Sequence, residues 1–193
     1  MSPGHKKNIS NQIRIIGGEH RGRKLTFPDS QGLRPTPDRV RETLFNWLQA
    51  YVPGAVCLDW FAGTGVLGFE ALSRGADKVI FVERELKVFQ SLKSNLDLLK
   101  LGDKTELNHM DALSFIEGIS SDFIDIVFLD PPYGKGLVSE CLKKLYDCQC
   151  LKSKGLVYLE QESQLGDPVL PENWIILKNK QAGQVNYYLL QAN

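Results

Sequence analysis

The stretch DWFAGTGVLGFE, residues 59–70, decides the fold of this chain. Gly63, Gly65 and Gly68 have the G-x-G-x-x-G spacing, in which glycines let a backbone approach a nucleotide closely. An apolar, strand-forming run leads into this loop, and a helix-forming segment follows it. In an open α/β sheet, ligands bind at the carboxyl ends of the strands. The loop is therefore predicted to contact a bound ligand.

Apolar strands and amphipathic helices continue to alternate as far as the C-terminus, which indicates an α/β fold. The predicted strands are residues 55–61, 78–83, 105–111, 124–130, 155–161, 174–180 and 185–191, and the predicted helices are residues 66–74, 85–100 and 137–146, with a short helix after Asp111. This order is typical of a parallel sheet with helices on both faces. The last two strands are joined by residues 181–184, which predicts an antiparallel pair at the end of the sheet.

The N-terminal segment is organised differently. Residues 1–12 are polar and are expected to be a disordered tail, whereas residues 13–16 and 24–27 flank a basic, glycine-rich connection and predict a hairpin. A helix is expected from Pro37, after which apolar residues recur at helical spacing as far as Tyr51. The predicted division is a tail of residues 1–12, a hairpin and helix of residues 13–52, and a main domain of residues 53–193.

The composition is that of an ordinary globular protein, with 193 residues, 42% hydrophobic side chains and 23 basic against 23 acidic residues. Residues 1–45 hold nine Lys or Arg against four acids, an asymmetry that hints at contact with nucleic acid. The polar N-terminus and the lack of a long apolar run favour a cytoplasmic protein without a membrane partner. The four cysteines and three histidines lack paired spacing, so no metal site is expected.

Two carboxylates near the glycine loop indicate which nucleotide it holds. Glu83 follows the glycines by about twenty residues, at the end of the next strand, where a carboxylate can bind ribose hydroxyls. Asp59 precedes the loop and would repel the pyrophosphate of a dinucleotide. S-adenosylmethionine suits this site because it carries an ammonium and a sulfonium but no phosphate, and its adenine would lie near Asp111 and Ala112. The alternative for Asp59 is a carboxylate that only caps a helix.

The fourth strand of the main domain ends in a second motif, IVFLDPPYG. The two prolines stiffen the loop, so that Asp130 and the carbonyl of Pro131 can accept hydrogen bonds and Tyr133 can stack on a base. An exocyclic amine of a nucleobase is a poor nucleophile, and acceptors of this kind can orient it towards a methyl donor. The motif therefore favours methyl transfer to such an amine, although D-P-P-Y could also be a simple turn.

Together, DWFAGTG and LDPPYG resemble the class I S-adenosylmethionine-dependent methyltransferases that methylate amines. More narrowly, IRIIGGEHRGRKL, LRPTPDRVRETLFNWL, LDWFAGTGVLGFEALSRGA and AGQVNYYLL are similar to the bacterial 16S ribosomal RNA guanine-N2 methyltransferases of the RsmD type. The resemblance implies a Rossmann-like, mostly parallel seven-stranded sheet with an antiparallel C-terminal strand, and an N-terminal hairpin and helix that cover the cofactor and bind RNA. It also implies methylation of one guanine of 16S rRNA, within the small ribosomal subunit.

The same resemblance carries site residues over by motif. Those expected around the cofactor are Thr36, Asp59, Phe61, Ala62, Gly63, Thr64, Gly65, Glu83, Asp111 and Ala112, and those around the base are Asp130, Pro131, Pro132 and Tyr133. Thr36 is expected to reach the methionine carboxylate. Phosphates of the RNA are expected to contact Arg14, Arg21, Arg23, Lys24, Arg34 and Arg39. For Arg41, contact with RNA and pairing with a nearby acid remain equally open, while Trp47 is expected in the core.

Other functions share parts of this pattern. A DNA adenine-N6 methyltransferase would use the same D-P-P-Y site, but the connections between the strands are too short to hold a separate DNA-reading segment. An RNA-binding assembly factor could keep the fold without turnover, although Asp59, Glu83 and Asp130 are all present. A dehydrogenase is supported by the glycine spacing alone. A monomer is expected.

Overall fold

A computed structural model describes residues 11–30, 33 and 35–192 of the chain. The strands are β1 (Asn11–Arg14), β2 (Lys24–Phe27), β3 (Val56–Asp59), β4 (Lys78–Val82), β5 (Thr105–Asn108), β6 (Ile124–Leu129), β7 (Leu151–Glu162), β8 (Ile175–Ala182) and β9 (Val185–Gln191). The helices are α1 (Asp38–Trp47), α2 (Val66–Ser73), α3 (Leu86–Leu99), α4 (Ala112–Phe115) and α5 (Val138–Cys148). None of them is long and apolar enough to cross a membrane.

Seven strands form one sheet in the order β5-β4-β3-β6-β7-β9-β8. The first five strands in this order are parallel to one another, and β9 is antiparallel to both β7 and β8. This is the Rossmann-like sheet with an antiparallel C-terminal strand that the sequence predicts. Because side chains alternate along a strand, Cys57 and Asp59 of β3 point to one face and Leu58 to the other. The first face packs against α1, α2 and α3, and the second packs against α4 and α5.

The hairpin of β1 and β2 forms a separate antiparallel pair that packs on α3, where the side-chain amide of Asn95 donates to the carbonyl of Thr26 (2.9 Å). The predicted strand at residues 13–16 lies two residues too late, because the N–H of Ile16 leaves the ladder and donates to Oε1 of Glu70 (2.6 Å). Residues 11 and 12 belong to this strand and not to the predicted tail, and residues 1–10 lie outside the described part of the chain.

A buried ion pair joins the N-terminal segment to the main domain. Arg41 of α1 and Glu70 of α2 are both fully buried, with Nη1 of Arg41 2.6 Å from Oε1 of Glu70. Arg41 also donates to the backbone carbonyls of Arg14 and Thr36. Contact between Arg41 and RNA is therefore excluded, because its guanidinium lies inside the protein. Trp47 is partly buried and stacks on Tyr187, as expected of a core residue.

Several bounds differ from the prediction, and α1 and β7 show the largest differences in the rest of the chain. Helix α1 ends at Trp47, and Tyr51, which was expected to continue it, is exposed. Strand β7 is longer than predicted and covers Leu151–Glu162, because it is hydrogen-bonded to β6 on one side and to β9 on the other. The additional length places Glu162 within the sheet, beside the D-P-P-Y loop.

Candidate active site

A cavity of about 850 Å³ lies at the carboxyl ends of β3, β4 and β6, large enough for a nucleoside-sized ligand. The predicted cofactor and base residues that line it are Thr36, Asp59, Phe61, Ala62, Gly63, Thr64, Glu83, Asp111, Ala112, Asp130, Pro132 and Tyr133. Two predicted residues, Gly65 and Pro131, do not line it. The fold thus brings both predicted groups of residues to one cavity.

Each of the three positions in the loop requires glycine for a different structural reason. Gly63 and Gly65 have φ angles of +51° and +71°, in the left-handed region that favours glycine, and Gly65 is the N-cap of α2. Gly68 lies within α2, and a Cβ atom added there would be 2.3 Å from the ring of Phe81. The first glycine therefore shapes the cavity wall, the second begins the helix, and the third lets the helix pack closely on β4.

Asp59 caps the helix and also faces the cavity. Its Oδ2 accepts the N–H of Gly68 (3.0 Å), so the capping alternative holds for one oxygen. Its Oδ1 accepts no hydrogen bond from a described residue, and it is not fully buried, because every fully buried side-chain oxygen of those residues has a partner. Since Asp59 lines the cavity, Oδ1 is the oxygen available to a ligand there. Burial raises the pKa of Asp59 to about 7, the Gly68 N–H opposes this, and the charge of Glu83 adds to it. A cationic ligand would favour the ionised form.

Glu83 is held by the backbone of the two segments beside it. Its Oε2 accepts the N–H of Gly63 (3.0 Å), and its Oε1 accepts the N–H of Glu85 (2.7 Å). These two bonds orient the carboxylate at the cavity wall while leaving lone pairs for further donors. The arrangement suits a carboxylate that accepts hydrogen bonds from vicinal hydroxyls.

The opposite wall of the cavity is built around the start of α4. Asp111 is the N-cap of this helix and accepts the N–H groups of Leu113 (2.9 Å) and Ser114 (3.3 Å). The indole N–H of Trp60 donates to the carbonyl of Ala112 (2.7 Å) and fixes that backbone. Asp111 and Ala112 are therefore held rigidly where the sequence places the adenine.

Asp130 directly follows β6 and is half-buried at the edge of the cavity. It makes no hydrogen bond with any described residue, and its oxygens are not buried, so both are accessible from the cavity. Burial raises the pKa of Asp130 well above its usual value, and the charges of Glu160 and Asp59 contribute. Tyr133 is 60% exposed at the mouth of the same cavity, where its ring is available for stacking.

Two further carboxylates, which the motifs do not reveal, stand on β7. Oε1 of Glu160 accepts the hydroxyl groups of Tyr158 (2.7 Å) and Thr36 (3.2 Å), and Oε1 of Glu162 accepts the N–H of Gly134 (2.5 Å) in the D-P-P-Y loop. Glu160 and Glu162 are two residues apart, so they lie on the same face of the strand. This spacing, at the carboxyl end of a predicted strand, is the sequence feature from which they could have been predicted.

Thr36 lines the cavity and donates its hydroxyl proton to Oε1 of Glu160 (3.2 Å). The contact expected between Thr36 and the methionine carboxylate stays a prediction.

The predicted RNA-binding cations fall into two groups. Arg14, Arg21, Arg23 and Lys24 are exposed on the hairpin, whose turn is tied to Ser73 at the C-terminal end of α2. Because the cavity lies at the other end of α2, about 12 Å along the helix, the turn does not reach it. Ser30, Leu33 and Thr36 of the following segment line the cavity instead. Arg39 is exposed in the first turn of α1, near Thr36, while Arg34 lies outside the described residues.

Comparison with known proteins places nearly the whole chain in one family. The family model described as "Conserved hypothetical protein 95" matches residues 13–191. Ribosomal RNA small subunit methyltransferase D of Escherichia coli is 50% identical over 182 residues, covering 94% of this chain and 91% of that protein. The protein of the same name from Haemophilus influenzae is 46% identical, covering 95% and 96%. The solved structure of yhhF from Escherichia coli superposes with a TM-score of 0.87 at 46% identity, covering 94% of this chain and 98% of that one.

Proposed function

The chain belongs to the family of ribosomal RNA small subunit methyltransferase D, and on that premise we propose that it methylates the exocyclic N2 amine of a guanine in 16S rRNA, with S-adenosylmethionine as the methyl donor. The observation that carries the proposal is the carboxylate of Asp130, which opens without a partner into the cavity that Asp59 and Glu83 also line. The substrate is the RNA within the small ribosomal subunit.

The cofactor, when bound, supplies an electrophilic methyl group on a sulfonium. Asp59 suits its ammonium because the carboxylate is buried and has one oxygen free. Glu83 suits the ribose hydroxyls, and the backbone around Asp111 and Ala112 suits the adenine. Phe61, Ala62, Gly63 and Thr64 form the intervening wall, and Gly65 begins the helix behind it. A half-buried pocket of this polarity favours a cation over a pyrophosphate.

The base side of the cavity is formed by the D-P-P-Y loop. Asp130 accepts a hydrogen bond from the amine and takes up the proton that the amine loses, for which its raised pKa suits it. Pro131 does not line the cavity, but it lies between Asp130 and Pro132, which do, and in the proposal its carbonyl accepts the second amine hydrogen. Pro132 stiffens the loop, and Tyr133 stacks on the base at the mouth of the cavity.

The rest of the RNA is bound by exposed cations of residues 13–52, and residues 53–193 form the methyltransferase domain. Arg14, Arg21, Arg23 and Lys24 contact phosphates away from the cavity, and Arg39 contacts them near its mouth. Arg34 belongs to the same proposed set. The chain acts in the cytoplasm as a monomer in this proposal.

The proposal is tested with tritiated S-adenosylmethionine and three substrates from a strain that lacks the enzyme: small ribosomal subunits, naked 16S RNA and duplex DNA. We expect label in N2-methylguanosine from the subunits, and mapping then identifies the guanine. Label in N6-methyladenine from DNA would contradict the proposal and favour a DNA methyltransferase. Binding of subunits without any label would favour an assembly factor instead.

A further inference from the structure

Asp130 and Glu160 lie side by side at the carboxyl edge of the sheet. Strands β6 and β7 are parallel and in register as far as Leu129 and Leu159, so the next residues, Asp130 and Glu160, are neighbours on adjacent strands. Neighbouring residues of a parallel pair project to the same face, and the strands are about 4.8 Å apart. The two carboxylates therefore point towards the same region. Asp130 belongs to the D-P-P-Y motif, whereas Glu160 does not.

The two oxygens of Glu160 have different surroundings. Oε1 is occupied, because it accepts the hydroxyl groups of both Tyr158 and Thr36. Oε2 accepts no hydrogen bond from a described residue. It is also not fully buried, because every fully buried side-chain oxygen of those residues has a partner. Glu160 does not itself line the cavity, but Thr36, which donates to its Oε1, and Asp130, which lies beside it on the neighbouring strand, both do. Glu160 therefore adjoins the side of the cavity on which the base is proposed to bind. The two hydroxyl donors fix the carboxylate in this orientation.

The edges of the purines differ at the atom that such an oxygen would meet. Guanine presents two adjacent donors, N1–H and the N2 amine, whereas adenine presents a bare N1 lone pair beside its N6 amine. We propose that Oε2 of Glu160 accepts the N1–H of the target guanine while Asp130 accepts the N2 amine, so that Glu160 determines the choice of guanine. This inference rests on the proposed function and adds to it a residue that selects the base.

The proposal predicts how the site rejects other bases. A base with a lone pair at N1 would place that lone pair against the carboxylate of Glu160, with no proton between them. A site built to accept a hydrogen bond discriminates strongly against an analogue that cannot donate it, because the buried oxygen is left unpaired. In Glu160→Gln the amide oxygen accepts the hydroxyls of Tyr158 and Thr36, so the amide N–H₂ faces the cavity and repels the N1–H of guanine.

The test uses 2-aminopurine, which keeps the amine at C2 but has a lone pair at N1. Small subunits are reconstituted with 16S RNA that carries either guanine or 2-aminopurine at the mapped position, introduced by ligation. We expect the wild-type enzyme to prefer guanine by about 10- to 100-fold in kcat/KM. We expect E160Q to abolish or reverse this preference, because its amide can donate to the lone pair of 2-aminopurine.

Glu162→Gln is the matched control, since Glu162 stands on the same face of the same strand but accepts the N–H of Gly134. It is expected to slow both substrates by the same factor. Equal slowing of both substrates by E160Q, or no preference in the wild-type enzyme, would overturn the inference. Absence of a wild-type preference would overturn the inference even if E160Q does not fold. Because 2-aminopurine also lacks the O6 of guanine, it is the loss or reversal of the preference in E160Q that assigns the selection to Glu160. Failure of the proposed function would be seen in a different experiment. In the assay with tritiated S-adenosylmethionine, small subunits with natural 16S RNA would then give no labelled N2-methylguanosine.

Discussion

Glu70 and Asp130 are both carboxylates, but Glu70 is enclosed by the protein whereas Asp130 is half-buried at the edge of the cavity. Glu70 is fully buried and accepts hydrogen bonds from Arg41 (2.6 Å) and from the N–H of Ile16 (2.6 Å). Asp130 has two other carboxylates beside it and no hydrogen bond to any described residue. A buried charge that has a partner holds two segments together. A charge that is shielded from water without a partner lowers the stability of the fold unless a ligand of opposite charge or a hydrogen-bond donor binds to it. The comparison distinguishes a charge that maintains the fold from charges that remain available to a ligand.

The largest effect is expected at Asp130. Asp130→Asn removes the charge with little change of shape, and we expect the rate of methyl transfer to fall about 100- to 10,000-fold because the proton acceptor is lost. The melting temperature at pH 8 should stay the same or rise, because the substitution removes an unpaired, half-buried charge that lies near two other carboxylates. Initial rates and thermal unfolding measure the two effects, and retained affinity for S-adenosylhomocysteine is the control. A normal rate would contradict the assignment.

Breaking the paired charge should do the reverse. Arg41→Met removes the short ion pair and leaves the buried Glu70 with only the longer contact to Arg74 (3.3 Å), and we expect the free energy of unfolding to fall by up to about 3–5 kcal/mol. Urea unfolding at neutral pH measures this loss. Arg39→Met is the matched control, because Arg39 is exposed two residues away on the same helix. A loss of similar size in both variants would show that the ion pair is not the cause.

The unpaired charges should also be visible in the pH dependence of cofactor binding. The pKa of Asp59 is raised to about 7, so the folded protein without ligand holds a proton that the unfolded chain releases near pH 4. Its stability should therefore fall as the pH rises from 4 to 7. Affinity for the cationic cofactor should rise about tenfold between pH 6 and pH 8, as Asp59 ionises. Calorimetry with S-adenosylhomocysteine measures this, and Asp59→Asn should remove the dependence.

The smallest effect is expected from exposed cations far from the cavity. Arg21→Ala should weaken binding to small subunits uniformly and reduce the dependence of log affinity on log salt by about one. The kcat should not change, because the hairpin turn is tied to the end of α2 remote from the cavity. Filter binding at several salt concentrations provides the slope. A lower kcat with an unchanged slope would place Arg21 in the catalytic region and contradict this division.

Much of the fold could be predicted because its signals are local. The alternation of strands and helices, the glycines that need a left-handed backbone at residues 63 and 65, and the antiparallel last pair all follow from short stretches of sequence. The misplaced first strand had no such signal, because its end depends on the bond between Ile16 and Glu70, which are 54 residues apart. The length of β7 likewise depends on its two neighbouring strands.

The sequence by itself determined the Rossmann-like sheet, the glycine loop, and the carboxylates Asp59, Glu83 and Asp130, since each stands at a fixed offset from a strand end. Only the tertiary structure decided that Arg41 is buried against Glu70 and that Thr36 meets Glu160, 124 residues away. The physical reason is that backbone preferences act over a few residues, whereas the partner of a charge or hydroxyl depends on which strands lie side by side. The base-selecting role proposed for Glu160 arises from that second kind of information.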